Sequence, residues 1–227
     1  MKNKVLVIAP HADDEILGCG GTIAKRINNG DEVYVAIMTN AHKGDPGMFP
    51  ENKILNVRSE AKKAHKFLGI KNAYFFDFPA PKLDQFPQYK IAIEISKLIK
   101  ELKINIMYIP YRGDIHVDHK IIFDAAMVAS RPNYDAYTVK SVFAYETLSE
   151  TEWGHPFSSD AFIPNHYETI SESCFNKKLK ALNFFESQVK EFPNSRSIEA
   201  VEALAKFRGA TIRFSRAEAF MVLRCVN

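Results

Sequence analysis

The chain has few cysteines, and the three present, Cys19, Cys174 and Cys225, are scattered and form no C-x-x-C pair. Such usage argues against a disulfide framework and indicates a reducing compartment. The sequence also lacks an apolar run of the roughly 18 residues that a transmembrane helix needs. Its amino-terminal apolar run is too short for a signal peptide, and no cleavage site follows. We therefore expect a cytoplasmic protein without a membrane span.

A strong charge of one sign is absent as well. Lysine and arginine number 30 and aspartate and glutamate 27, which gives a formal net charge of +3. No basic cluster resembles a phosphate-binding patch, which argues against a nucleic-acid partner. No repeat, low-complexity tract or linker interrupts the 227 residues, and 46% hydrophobic residues are ample for a packed core. We therefore expect a single domain, residues 1–227.

Apolar runs alternate with amphipathic segments over the first two-thirds of the chain. The runs predict strands at residues 4–9, 32–38, 73–76, 104–109 and 141–145, and helical spacing predicts helices at 16–29, 54–68, 91–102 and 117–130. The less regular last third predicts helices at 177–185 and 198–207 and, at 219–226, a closing strand or an extended tail. Alternating strands and helices require crossover connections. This pattern predicts an α/β, Rossmann-like, three-layer fold with a mostly parallel sheet.

Two turns of the predicted sheet carry unusual chemistry. Residues 10–15 (PHADDE) follow the first strand, and residues 111–119 (YRGDIHVDH) follow the fourth. Ligands bind at the carboxyl ends of parallel strands, so both turns lie at the same edge. A hydrolytic metal site needs about three imidazole or carboxylate ligands and an open position for water. The H-x-x-D and H-x-x-H spacings offer such ligands, and the three consecutive acids repel one another unless a cation compensates them.

Each of these residues also has a purely structural explanation. Asp13 or Asp14 can cap the following helix, and His119 can be a packed core residue. The glycines at positions 18, 20 and 21 resemble a phosphate-binding loop, but their spacing is not G-x-G-x-x-G and the preceding acids repel pyrophosphate. We attribute these glycines to close packing of the helix on the sheet. The joint occurrence of the histidines and acids favours a metal site.

The two turns together resemble the motifs of the LmbE-like, or PIG-L, deacetylase family. The family motifs read A-H-P-D-D-E and H-P-D-H or H-x-D-H, and this sequence has PHADDE at 10–15 and HVDH at 116–119. Weaker matches are RSEA at 58–61, where the family's R-x-x-E-A is one residue longer, RG at 208–209 and AEAF at 217–220. Ala12 and Val117 replace the usual prolines. Neither position supplies a ligand, so we expect altered loop stiffness with intact chemistry.

The resemblance implies roles for the residues of both turns. It makes His11, Asp14 and His119 the ligands of a zinc ion, with iron as the alternative metal. It makes Asp13 the general base that activates water and His116 the electrophilic histidine beside the substrate carbonyl.

Two further residues have two interpretations each. The resemblance implies that Arg58 contacts substrate hydroxyls, and the alternative is a solvated residue on the first turn of its helix. Asp118 is interpreted as a carboxylate that orients His116 or a ligand imidazole. Its alternative is an acid that favours the start of a helix.

These roles imply a metal-dependent hydrolase that removes an acetyl group from a small N-acetylated amino sugar, sugar nucleotide or glycoside. The alternatives are a non-catalytic sugar- or nucleotide-sugar-binding module on the same fold, a nucleotide-dependent transferase or oxidoreductase, and an iron oxygenase. The complete set of site residues argues against the first, and the lack of G-x-G-x-x-G against the second. Asp13 and His116 suit hydrolysis better than oxygen chemistry, which argues against the third.

The pocket and the assembly are less determined by sequence. Three long, polar and aromatic loops, at 39–50, 76–87 and 147–165, are expected to build the pocket. The stretches FPAP at 78–81 and WGHP at 153–156 are candidate sugar-stacking surfaces, or aromatics that only pack the loops down. Homo-oligomers are common in the resembled family, and this sequence sets no stoichiometry.

Overall fold

The computed structural model describes residues 2–132 and 139–226. Its strands are β1 (Lys4–Ala9), β2 (Glu32–Asn40), β3 (Asn72–Pro79), β4 (Ile106–Pro110), β5 (Ser141–Tyr145), β6 (His166–Thr169) and β7 (Ala217–Cys225). They form one sheet in the order β3-β2-β1-β4-β5-β7-β6. The first five pair in parallel, and β7 is antiparallel to both β5 and β6. The predicted mostly parallel α/β sheet is confirmed.

Helices cover both faces of this sheet. They are α1 (Asp14–Asn28), α2 (Ala41–Gly44), α3 (Glu51–Leu68), α4 (Gln88–Leu102), α5 (Val117–Ala129), α6 (Glu172–Leu182) and α7 (Ile198–Thr211). Helices α1, α3, α6 and α7 pack on one face, and α4 and α5 on the other. Val5 and Val7 of β1 face the first layer, whereas Leu6 and Ile8 face the second. Because both faces are covered, the strand is apolar and buried at every position from Val5 to Ala9.

Two properties of the described residues concern the environment of the chain. All three cysteines lie within the described residues, and none of them forms a disulfide there; Cys19 and Cys174 are buried and Cys225 is exposed. Within residues 2–132 and 139–226, no helix is both long enough and apolar enough to cross a bilayer.

Several predicted elements have different ends in the structure. The helix predicted at 54–68 begins at Glu51, and the one predicted at 177–185 occupies Glu172–Leu182. The Ser171 side chain accepts a hydrogen bond from Cys174 N at 3.3 Å and caps the latter helix, which fixes its earlier start. The predicted loop at 39–50 contains α2, and β3 continues through Pro79 into the predicted loop at 76–87. Strand β6 was not predicted from the sequence, because its extended conformation depends on hydrogen-bonded pairing with β7 and not on a local pattern.

The order of the strands reverses between β1 and β4. From β1 the chain adds β2 and β3 on one side, and from β4 it adds β5 on the other. Loops that leave two such strands diverge and open a crevice at their carboxyl ends. The PHADDE turn follows β1 and the YRGDIHVDH segment follows β4. The topology therefore places the two motifs side by side.

Helix α1 lies very close to the sheet at Gly18. A Cβ atom there would lie 2.3 Å from Cδ2 of Tyr145 on β5, so a larger residue would displace the ring. The Tyr145 hydroxyl donates a hydrogen bond to the carbonyl of Ile8 at 2.9 Å and holds the ring in place. This contact confirms the prediction of close packing on the sheet for Gly18. The contact also fixes the start of α1, which carries Asp14, relative to β1.

Candidate active site

Three predicted ligand side chains converge in the crevice between β1 and β4. Asp14 Oδ2 lies 3.3 Å from His11 Nδ1 and 3.3 Å from His119 Nε2. Atoms that bind zinc tetrahedrally at about 2.0–2.1 Å are roughly 3.3 Å apart. The two separations from Asp14 Oδ2 therefore match the edges of a tetrahedral metal site.

Polar atoms at the centre of this cluster lack partners. Within the described part of the chain, Asp14 Oδ1 and His119 Nε2 are buried and have no hydrogen-bond partner. An unpaired polar atom in the interior is costly, so such atoms call for a ligand or a strained contact. A divalent cation satisfies both atoms at once. The residues present therefore fit a metal that binds nitrogen and oxygen.

Carboxylates orient the imidazoles of both histidines. Asp114 Oδ2 lies 2.7 Å from His119 Nδ1, and Asp118 Oδ2 lies 3.1 Å from His11 Nε2. Each ring thereby turns its other nitrogen toward Asp14, as histidines at metal sites commonly do. Of the two interpretations of Asp118, the contact supports orientation of a ligand imidazole. Asp114 was not predicted, although its place in the same turn as His119 was a usable signal.

The same carboxylates change the proton affinity of the two imidazoles. Burial disfavours charge on His11, but the hydrogen bonds to Asp118 and Asp14 outweigh it and raise the pKa of His11 to about 9. Burial also opposes charge on His119, yet Asp14 and Asp114 raise its pKa well above the ordinary value. Despite burial, the two imidazoles hold the pKa of Asp14 well below its usual range. A metal that binds there must therefore displace protons.

Replacement of Asp114 by alanine is expected to weaken zinc binding by about 10–100-fold, because His119 Nδ1 loses the acceptor that fixes its ring. Competition with a chromogenic chelator measures the zinc Kd. Asp124→Ala is the matched control, because Asp124 lies on the same helix as His119 and forms an exposed ion pair with Lys120 at 3.4 Å. Equal zinc affinity of Asp114→Ala and Asp124→Ala would show that Asp114 does not support a ligand.

Asp13 lies beside the ligand cluster with an unusual backbone. Its φ of 122° and ψ of −27° belong to a region that few residues other than glycine adopt, and such residues cluster at functional sites. Among the described residues its side chain makes no capping bond to α1. Asp13 Oδ2 instead accepts a hydrogen bond from Arg196 Nη1 at 2.9 Å. The explanation of Asp13 as a helix cap is therefore wrong.

Burial and Arg196 act on Asp13 in opposite directions. Burial raises the pKa of Asp13 to about 8, although the Arg196 guanidinium lowers it. A carboxyl group with a pKa near the working pH accepts and returns a proton readily. Arg196 was not predicted, because the FPNSRS sequence around it carries no motif. Only the fold brings it to a residue 183 positions earlier in the chain.

The three consecutive acids have separate partners. Glu15 Oε1 lies 2.7 Å from His65 Nε2, and Glu15 Oε2 accepts a hydrogen bond from the Asp13 backbone N–H at 3.1 Å. Arg196 pairs with Asp13, which leaves Asp14 as the acid that faces the imidazoles. The sequence argument that one cation must compensate all three acids is therefore wrong, and the case for a metal comes from Asp14 and its neighbours.

His116 lies at the rim of the cluster. Its side chain is 58% exposed, and its Nδ1 lies 3.1 Å from Oε2 of the buried Glu150. Burial and the neighbouring His11 and His119 lower the pKa of His116. Burial raises the pKa of Glu150 to about 7. The three imidazoles offer ligand atoms within 4.8 Å of one another, so His116 is an alternative third ligand. Shorter distances and complete burial favour Asp14.

The guanidinium of Arg58 is held by residues of strands β2 and β3. Its guanidinium donates hydrogen bonds to the carbonyls of Thr39, at 3.2 Å, and Phe76, and it pairs with Asp77 at 2.9 Å. Because α3 begins at Glu51, Arg58 lies seven positions into the helix and its side chain is only 17% exposed. The interpretation as a solvated first-turn residue is therefore wrong. Arg58 also lines the cavity described next, and its contact with substrate stays a prediction.

A cavity of about 430 Å³ opens beside these groups. Its lining includes the polar side chains of His11, Asp13, His116 and Asp118. The lining also includes apolar residues, namely Ile37, Phe49, Ile54, Val57, Ala80, Pro81 and Val117. The predicted pocket loops at 39–50 and 76–87 contribute to this lining. The cavity combines a few convergent polar groups with an apolar surface, as small-molecule sites commonly do.

The fold and this cluster define a protein of the PIG-L class, and comparison with known proteins agrees. The family model described as GlcNAc-PI de-N-acetylase matches residues 6–130, which include both motif turns. The chain belongs to the PIG-L family.

Two relatives and one solved structure illustrate the similarity. The chain is 28% identical over 182 residues to the uncharacterized deacetylase YaiS of Escherichia coli, across 78% of this chain and 88% of that protein. It is 27% identical over 208 residues to the diacetylchitobiose deacetylase of Thermococcus kodakarensis, across 83% and 71%. The 4-carboxy-2-hydroxymuconate hydratase GalB of Pseudomonas putida shares the fold with a TM-score of 0.77 at 19% identity, across 98% and 96%. The fold alone therefore does not specify the reaction.

Proposed function

We propose that the protein is a metal-dependent deacetylase that hydrolyses the acetamide group of a small N-acetylated amino sugar or its glycoside. The observation that carries the proposal is the convergence of Asp14 on His11 and His119, with Asp13 and His116 beside them. Membership of the PIG-L family and two relatives named as deacetylases support it. Two imidazoles and a carboxylate suit zinc, and iron is the alternative.

In the proposed reaction the metal would activate water and the acetyl carbonyl, and Asp13 transfers the proton. When bound by His11, Asp14 and His119, zinc makes water acidic and polarises the acetyl carbonyl. Asp13 is the general base that takes the proton from water, and Arg196 holds its carboxylate in position at 2.9 Å. Asp13, whose pKa burial raises to about 8, then delivers this proton to the leaving amine as the general acid.

His116 lies at the rim of the cluster, where its Nδ1 is 3.1 Å from Oε2 of Glu150. We propose that an N–H of the His116 imidazole donates to the negative charge that develops on the acetyl oxygen. A well-aimed donor of this kind contributes about 3–4 kcal/mol to the transition state.

The cavity is consistent with a sugar ring in the proposed substrate. Apolar lining residues such as Phe49 and Ile54 can pack against the aliphatic face of a ring. Thr39, Asn40 and Arg58 also line the cavity and offer partners for ring hydroxyls. We therefore propose that Arg58 contacts substrate hydroxyls while the carbonyls of Thr39 and Phe76 hold its guanidinium.

Acetate release from a panel of N-acetylated sugars, glycosides and sugar nucleotides tests the proposal. We expect release from N-acetylglucosamine or its glycosides, loss of release after treatment with a chelator, and recovery on addition of zinc. A protein that binds such sugars, with zinc present, and never releases acetate is instead a sugar-binding module on this fold. Calorimetric titration of the same panel detects that outcome.

A further inference from the structure

A second depression in the protein surface lies next to the cavity. Its volume is about 610 Å³, and it runs between the turn at 149–153 and the segment 188–196 that precedes α7. We call it the Trp153 groove, after the aromatic residue in its wall. Gln188 and Arg196 line both the groove and the cavity, so the two spaces adjoin at these side chains.

Arg196 connects the groove to the proposed base. Its Nη1 donates to Asp13 Oδ2 at 2.9 Å and to Gln188 Oε1 at 3.3 Å, and its Nε donates to Ser149 Oγ at 2.7 Å. The backbone N–H of Ser149 donates in turn to Glu152 Oε1 at 2.6 Å. A molecule in the groove is therefore separated from Asp13 by one side chain, and the groove wall is held by hydrogen bonds.

The wall of the groove combines an aromatic ring with neutral and charged polar groups. Trp153 is the only tryptophan of the chain, and it is 67% exposed. An exposed ring of this size beside a reaction site is a surface on which the apolar face of a ligand can stack. Asn194 and Gln188 offer amide groups, and Lys190 and Glu152 offer charges of opposite sign.

The charges of the groove favour a neutral ligand. Glu152 opposes Lys190, and the guanidinium of Arg196 is already paired with Asp13. A diphosphate would therefore meet a carboxylate and find little uncompensated positive charge. A sugar ring has an apolar face for Trp153 and hydroxyls for the surrounding amides and charges.

We propose that the Trp153 groove binds a second, neutral sugar ring of the substrate, stacked on Trp153, while the N-acetylated ring occupies the cavity. The substrate is accordingly a neutral oligosaccharide or glycoside, in preference to a free monosaccharide or a sugar nucleotide. This assignment rests on the proposed deacetylation for its reaction, and ring binding in the groove can be measured without that reaction.

Kinetics of Trp153→Ala with N,N′-diacetylchitobiose and N-acetylglucosamine test the assignment. Loss of one stacked ring corresponds to about tenfold in affinity. We expect kcat/KM for the disaccharide to fall about tenfold, mainly through KM, whereas the monosaccharide value stays within about twofold. Trp153→Phe is expected to keep most of the disaccharide activity. Tyr89→Ala, which removes a 63% exposed ring on α4, is the control. An equal loss for both substrates overturns the proposal.

Tryptophan fluorescence of the full chain, freed of metal, separates binding from catalysis. Because Trp153 is the only tryptophan, its emission reports on the groove. We expect a saturable change with N,N′-diacetylchitobiose and none with N-acetylglucosamine. A change with uridine diphosphate N-acetylglucosamine but not with the disaccharide overturns the choice of a neutral ring. Saturable binding without acetate release from the metal-loaded protein would leave the groove assignment intact and refute the deacetylase function.

Discussion

An Asp13→Asn variant is expected to keep its metal and to lose turnover by about 10²–10⁴-fold, the usual contribution of a general acid–base group. Asparagine preserves the shape of the side chain and an oxygen that accepts the hydrogen bond from Arg196 Nη1. Asparagine also tolerates the positive φ of 122° at this position better than most uncharged residues other than glycine. The substitution therefore removes the proton acceptor with little change to the fold.

Two measurements on the same preparation distinguish the outcomes. Acetate release gives kcat, and elemental analysis gives zinc per chain. Asp124→Asn, on the exposed side of α5, is the control and should match the wild type in both. Turnover of Asp13→Asn at the wild-type rate would refute the role of base. Loss of zinc from this variant would instead make Asp13 a ligand.

Removal of a ligand is expected to have the second large effect. Asp14→Asn and His119→Ala each take one of three donors from the cluster, and Asp14→Asn also takes the charge that attracts the cation. We expect zinc content to fall from one per chain to nearly none. Acetate release should fall on the order of 10³-fold, to the level of the chelator-treated wild type, because metal activation of water and carbonyl is lost.

The conservative Asp14→Asn variant guards against misfolding as an explanation. His119 is fully buried and pairs with Asp114 at 2.7 Å, so His119→Ala carries a cost in stability as well. Circular dichroism and thermal unfolding should show Asp14→Asn folded like the wild type. His155→Ala, which removes an exposed histidine outside the cluster, should keep both zinc and activity. If Asp14→Asn bound zinc normally and released acetate at the wild-type rate, the ligand set would be wrong.

The sequence predicted those parts of the site whose signal is local. Short apolar runs located strands such as Ser141–Tyr145, and strand alternation implied that the loops after β1 and β4 meet. His11, Asp14 and His119 lie in those two loops, so their convergence followed from the topology. Each of these features is contained in a few neighbouring residues or in the order of elements.

The rest of the site depends on contacts that no local pattern records. Arg196 reaches Asp13 from 183 positions away, and Glu150 reaches His116 from an irregular segment after β5. Strand β6 is four residues long and is ordered by pairing with β7. Separate partners for Asp13 and Glu15 also became visible only in the fold. Side chains that tune the proposed base and the rim histidine are therefore the ones that sequence reasoning missed.

Zinc titration of the chelator-treated protein, with acetate release as the readout, is the most direct test of the proposed metal centre. Because His11, Asp14 and His119 form a single cluster, we predict that activity rises in proportion to added zinc and stops rising at one equivalent per chain. Acetate release at full rate before any metal is added would contradict it, and so would a protein that remains inactive after it has bound zinc.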